Sequence, residues 1–266
     1  MAEKKRVAKI AITGKGGVGK TTLAGLLAYI FAAQGENVIA IDADPDANLA
    51  SALGFPPELV EQITPIAAMD DLIYERTGAQ RGTTGGFFQI NPRVDDIPDR
   101  FSAVHRGIRL LVLGTVKKGG AGCICPESAL LRSLMVNLLL HRNEVVIADM
   151  EAGIEHLGRA TAQAVDAMIV VVEPGRRSLQ TAETIRRLAG DLGLTRVFVV
   201  GNKVRNDEDR RFIAENLPDF KVLGYLPFSA DAIRSDLEGK AVYDIAPDLV
   251  AEAEKIAAAL RGKQNL

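Results

Sequence analysis

Seven short runs rich in apolar and β-branched residues recur along the chain, at 6–13, 37–42, 108–114, 144–149, 167–173, 196–203 and 221–227. Several, such as AMIVVVE at 167–173, are apolar at almost every position instead of alternating, which is the pattern of strands covered on both faces. Segments of helical period lie between most of them. The succession predicts an α/β fold: one domain, residues 1–266, with a mostly parallel sheet of about seven strands flanked by helices on both sides. Residues 54–107 interrupt it. This stretch is rich in Gly, Pro and charge but carries Phe87, Phe88 and Ile90, so it is expected to be an insertion packed on the domain edge rather than a flexible linker. The last helical segment has an apolar face at Leu249, Val250, Ala253, Ile256, Ala257 and Leu260, expected to pack on the core.

Composition narrows the partners. The net charge is −2 with acids and bases interspersed, so neither a nucleic-acid footprint nor a polybasic membrane anchor is implied. No apolar run approaches the roughly 20 residues that cross a bilayer. The opening MAEKKRVAKIAITG runs into the first strand without a signal-peptide cleavage pattern, so a cytoplasmic location is expected. In that reducing compartment the two cysteines, Cys123 and Cys125, are poor candidates for a disulfide, because the bond would close a tiny strained ring.

Between the first strand and the next helical segment stands Gly14-Lys15-Gly16-Gly17-Val18-Gly19-Lys20-Thr21-Thr22. Its G-x-x-x-x-G-K-T spacing is a P-loop, and the expected fold is therefore that of a P-loop NTPase. Glycines let backbone N–H groups fold around phosphates, the helix N-terminus faces their charge, Lys20 reaches the β- and γ-phosphates, and the Thr21 hydroxyl ligates Mg²⁺. A glycine-rich turn with an incidental lysine is the alternative.

The second lysine makes the loop resemble the deviant P-loop of the MinD/ParA/nitrogenase iron protein group. That resemblance implies a homodimer closed around ATP, with Lys15 crossing to the partner's phosphates, although a solvated loop charge would read the same. It also implies that Asp44 directs the attacking water, that Asp42 supports the Mg²⁺ shell, and that Asp149 and Gly153 form a Walker B aspartate and the γ-phosphate sensor of a switch segment. Catalysis would then rest on Lys15, Lys20 and Asp44. Glu151 stands where proline is usual. By the same resemblance Asn202 hydrogen-bonds adenine, Lys203 adjoins it, and backbone at Leu226, Pro227 and Phe228 encloses the base. No aspartate follows Lys203 at the spacing a guanine site would use, so ATP and ADP are the expected nucleotides.

If residues 123–125 are extended, Cys123 and Cys125 point the same way, and Pro126 suits the first position of a helix whose N-terminus would favour thiolates. A buried, unliganded pair is the alternative. A tetrahedral S₄ site needs four sulfurs at about 2.3 Å, and a two-fold dimer supplies the second pair. The segments KKGGAGCICPE, NPRVDDIPD and DMEAGIEHLGR, with the deviant P-loop, resemble the carbon monoxide dehydrogenase accessory ATPases, the CooC family, over nearly the full length. The resemblance implies Ni²⁺, or Zn²⁺ in the same soft cage, bound across the dimer by Cys123 and Cys125, and a client nickel enzyme, carbon monoxide dehydrogenase. Two other functions stay open: an ATP-dependent iron–sulfur electron donor, and a positioning ATPase of the MinD/ParA type. His105, His141 and His156 have no ligand-like spacing.

Overall fold

The computed structural model describes residues 8–83, 87–114, 125–151 and 164–262. Cys123, Gly153 and His156 lie outside them. The apolar runs form β1 (Lys9–Thr13), β2 (Val38–Ala43), β4 (Ile108–Val112), β5 (Val145–Met150), β6 (Ala167–Val172), β7 (Val197–Val204) and β8 (Lys221–Pro227). With β3 (Ala103–His105) they make one sheet in the order β3-β4-β2-β5-β1-β6-β7-β8, parallel throughout except for β3 against β4.

Among the described residues the sheet therefore has eight strands, where about seven were expected. The extra one, β3, has three residues and no apolar run; only its turn identifies it. Arg106 and Gly107 both take positive φ, 49° and 78°, as a two-residue hairpin turn requires. The turn is anchored by an Arg106–Asp244 ion pair at 2.8 Å.

Alternate residues of each central strand feed opposite faces. Ile10, Ile12, Val38, Ala40, Ile147 and Ile169 join one buried cluster, under the helices Lys20–Ala33 and Pro247–Leu260. Ala11, Ile39, Ile41, Val146, Met168 and Val170 join the other, under the helices Pro126–Leu140 and Arg176–Asp191. Full burial of each Ile, Val or Met among them contributes about 1.5–3 kcal/mol. Within 54–107, Ile66, Leu72, Ile73, Val94 and Ile97 are buried in the second cluster, and the helix Asp70–Thr77 packs on the helix Pro126–Leu140. The final helix buries Leu249, Ala253, Ile256, Ala257 and Leu260, with Val250 half-buried.

This topology places the chemistry at one edge. β1 leads to β2 on one side while its neighbour β6 leads to β7 on the other, and ligands of open α/β sheets bind at the carboxyl ends of strands about such a point. The P-loop follows β1. Asp42 and Asp149 are register partners near the ends of β2 and β5, and Asn202 lies two residues before the end of β7.

Candidate functional site

The P-loop has the backbone its glycines predict. Gly14, Gly17 and Gly19 have φ of 148°, 77° and 94°. A Cβ on Gly14 would collide with the Val171 carbonyl oxygen, and one on Gly19 with the Asn202 amide nitrogen. Gly19 is also the N-cap of the helix Lys20–Ala33, which begins without a side-chain cap. Its first N–H groups thus suit an anion.

Three carboxylates gather around the buried Lys20. Asp44 Oδ2 is 3.4 Å from its ammonium. Asp42 accepts backbone N–H bonds from Asp44 at 3.2 Å and Leu49 at 2.9 Å, shaping the loop that carries Asp44. Thr21 Oγ1 donates to Asp149 Oδ2 at 2.6 Å. Asp149 Oδ1 is buried and has no hydrogen-bond partner among the described residues. Burial pushes the Asp149 carboxyl up to about 7, against the hydrogen bond from Thr21, and that of Asp42 up to about 6. An orphaned carboxylate oxygen beside a threonine hydroxyl, with anionic neighbours, fits Mg²⁺, a hard cation that takes oxygen ligands. Lys15 is half-buried at the rim of the loop.

At the other end of the site lie the residues expected near the base. Asn202 is buried, and its carboxamide is engaged within the protein: Nδ2 donates to Val18 O at 2.7 Å and Oδ1 accepts from Lys203 N at 2.8 Å. Lys203, at φ 57°, donates from Nζ to Gly17 O at 2.6 Å. Leu226 has its side chain in the core, leaving only backbone to offer a base, while Phe228 stands half-exposed with the Arg205 guanidinium 5.6 Å from its ring centre. Sequence reasoning missed the Thr13 hydroxyl, which donates to Glu151 O at 2.8 Å and ties the end of β1 to the segment after β5.

Cys125 is the N-cap of the helix Pro126–Leu140, extended at φ −121° and ψ 161°, with Pro126 following. Its thiol is buried, donates to Ser128 Oγ at 3.0 Å, and is pushed up by burial. The expected thiolate-favouring effect of the helix N-terminus is therefore outweighed at Cys125 by desolvation. Two residues on, Glu127 is also buried, and both its carboxylate oxygens accept from Gly82 N at 3.2 Å. The acid in the CPE triplet was the available signal, but acids are common in first helical turns, where the dipole favours them. This contact joins the 54–107 stretch to the cysteine. Glu127→Ala is expected to raise the rate of Cys125 alkylation by iodoacetamide several-fold, with mass spectrometry locating the adduct; an unchanged rate would show that the contact does not cover the thiol. His141 caps the same helix at its C-terminus, and His105 lies with its ring centre 5.2 Å from that of Phe55. Among the described residues no cluster of three or more His, Cys, Asp or Glu could hold a metal ion, and no helix is long and apolar enough to cross a membrane.

Residues 9–242 match the family model of the CobQ/CobB/MinD/ParA nucleotide binding domain. The carbon monoxide dehydrogenase accessory protein CooC of Rhodospirillum rubrum is 50% identical over 252 residues, covering 95% of each chain. An uncharacterized ATP-binding protein of Methanocaldococcus jannaschii is 47% identical over 93% of this chain and 95% of its own. Among solved structures, the MinD cell division protein of Aquifex aeolicus superposes with a TM-score of 0.68 at 19% identity, over 97% of this chain and 99% of that one. A ParA family ATPase of Chlorobium tepidum gives 0.65 at 17% identity, over 96% and 98%. The chain belongs to the CobQ/CobB/MinD/ParA nucleotide-binding family and, within it, to the group of the carbon monoxide dehydrogenase accessory protein CooC.

Proposed function

We propose that the protein is an ATP-hydrolysing nickel metallochaperone, acting as a homodimer in the cytoplasm and serving the maturation of carbon monoxide dehydrogenase. The observation that carries the reading is a backbone bond. Leu113 N donates to Asp42 O at 2.8 Å, so the segment leading to Cys123 and Cys125 leaves the sheet beside the loop of Asp44. Cys125 heads the helix Pro126–Leu140 that leads into β5, on the same side of the sheet as the nucleotide loops.

In this reading the chain's own groups act as follows. The P-loop N–H groups and Lys20 take the triphosphate. Lys20 then exchanges Asp44 for phosphate oxygens, which frees the Asp44 carboxylate to orient the attacking water and accept its proton. Lys15 of each copy crosses to the other's phosphates and offsets the charge that develops there. Thr21 Oγ1 and the Asp149 carboxylate would hold Mg²⁺, which would supply neutralisation of charge on the phosphate oxygens. Loss of the γ-phosphate releases the segment after Asp149, which includes Gly153, and the dimer relaxes its hold on the Cys123/Cys125 metal, Ni²⁺ or Zn²⁺.

Co-expression tests the reading. Carbon monoxide dehydrogenase made with this protein is expected to contain more nickel and more activity than the same enzyme made with Lys20→Ala. Equal nickel content with both would remove ATP hydrolysis from the delivery step.

A further inference from the structure

We infer that Thr13 is a positioning residue for ATP hydrolysis, its hydroxyl holding the end of β5, and with it the Asp149 carboxylate, in place against the phosphate loop. The inference rests on the nucleotide-site reading and adds a residue to it. β1 pairs with β5 as far as Ile12 and Asp149, but with β6 one residue further, as far as Thr13 and Val170. Gly14 keeps to the β6 side: its φ is 148°, and a Cβ there would collide with the Val171 carbonyl oxygen. The phosphate loop therefore starts along β6, and β1 gives β5 no ladder after Asp149. β5 itself runs on to Met150, paired on its far side with Ala43 of β2.

The Thr13 hydroxyl takes over where that ladder stops, donating to Glu151 O at 2.8 Å. Thr13 is fully buried, and a buried donor needs such a partner. Thr21, at the other end of the phosphate loop, donates to Asp149 Oδ2 at 2.6 Å. The two threonines thus flank the loop and hold residues 149 and 151 at two points. One point alone would leave the end of β5 free to pivot, whereas two fix its direction. Asp149 depends on that direction, because its other oxygen, Oδ1, has no hydrogen-bond partner among the described residues and the carboxylate is placed largely by its backbone. Of the two grips, the one from Thr13 uses no atom expected to touch phosphate or Mg²⁺, so it stays in force while Thr21 and Asp149 take up their ligands. Holding such groups in the reacting geometry is how a residue away from the reacting atoms raises a rate.

The test separates the phosphate cradle from the end of β5. Thr13→Val keeps the branched shape and removes the donor, while Thr13→Ser keeps the donor. ADP binding is measured by calorimetry in EDTA and in excess Mg²⁺, and ATP turnover is measured on the same samples. In EDTA all three proteins are expected to bind ADP equally, because the loop N–H groups and Lys20 are untouched. The gain in ADP affinity on adding Mg²⁺ should be several-fold smaller in Thr13→Val than in the wild type. Its kcat should be lower by about 10–100-fold with KM for ATP little changed. Thr13→Ser should restore most of both. A Thr13→Val protein with the wild-type Mg²⁺ gain and kcat would overturn the inference. So would one that loses ADP affinity in EDTA by the same factor as kcat, since that is a general loosening of the loop, and so would a Thr13→Ser protein as impaired as Thr13→Val, since the methyl group and not the hydroxyl would then matter. A wild-type protein that binds no ADP under either condition would instead remove the nucleotide-site reading, and the inference with it.

Discussion

The Asp149→Asn protein is expected to melt at a higher temperature than the wild type in EDTA and to hydrolyse ATP about 10²–10³-fold more slowly. Both effects come from one buried group. Asp149 lies beside Asp42 across the β2–β5 pair, with Oδ1 unpartnered among the described residues, and burial lifts its carboxyl to about 7. The folded state thus holds a proton that the unfolded chain, with an ordinary aspartate near 4, has already released. Stability from this group is full below about pH 4 and falls as pH rises through about 7, after which its contribution is level. Asp42, lifted to about 6, adds to the fall over the lower part of the same window. At pH 8 the asparagine removes a buried charge worth on the order of a few kcal/mol, and each kcal/mol moves the melting temperature of a chain this size by roughly 2–4 °C. The slope of melting temperature against pH between 4 and 7 should flatten in the variant. With Mg-ADP the order reverses, because only the wild type gains the carboxylate's share of the cation. A variant that melts below the wild type in EDTA at pH 8 would show that the carboxylate is not the strained group inferred here.

The inner sheet was legible because strands covered on both faces must be apolar at successive positions, and short length with β-branched residues sets such runs apart from buried helical ones. Hence β1, β2, β5, β6 and β7 stand within a few residues of where the pattern placed them. β3 escaped because three residues at a sheet edge carry no such pattern, and its turn uses Arg106-Gly107 in place of the commoner Asn-Gly. The phosphate cradle was legible for a chemical reason: positive φ at Gly14, Gly17 and Gly19 and a lysine at the helix start leave little freedom of sequence. The Asn202 contacts were not legible, since they depend on a register break at the end of β7 that brings residues 184 positions apart together. Glu127 was passed over for a related reason. Nothing in the sequence distinguishes a first-turn acid that faces solvent from one buried against the Gly82 N–H.

Nickel binding should vanish in the Cys123→Ala/Cys125→Ala protein, and this is the largest effect expected at the second site. A soft divalent ion in a sulfur cage needs four thiolates. One chain has two cysteines in all, and the described residues offer no cluster of histidines and carboxylates to complete the shell. The missing pair must come from a second copy, which predicts one ion for every two chains. Each single substitution should then be nearly as damaging as the double, because it removes two of the four sulfurs at once through the symmetry of the dimer. Cys125 adds a kinetic expectation. It is 1% exposed and hydrogen-bonded to Ser128, so it has to leave that seat before it can meet a partner's thiol. Uptake should accordingly be faster in Glu127→Ala, where the Glu127–Gly82 contact beside the thiol is lost, with no change in stoichiometry. Equilibrium dialysis with and without ATP measures stoichiometry and affinity, and rapid mixing with Ni²⁺ measures the rate of uptake. Stoichiometric nickel retained by the double variant would take the cysteines out of the site, and one ion per single chain would take away the shared cage on which coupling to ATP depends.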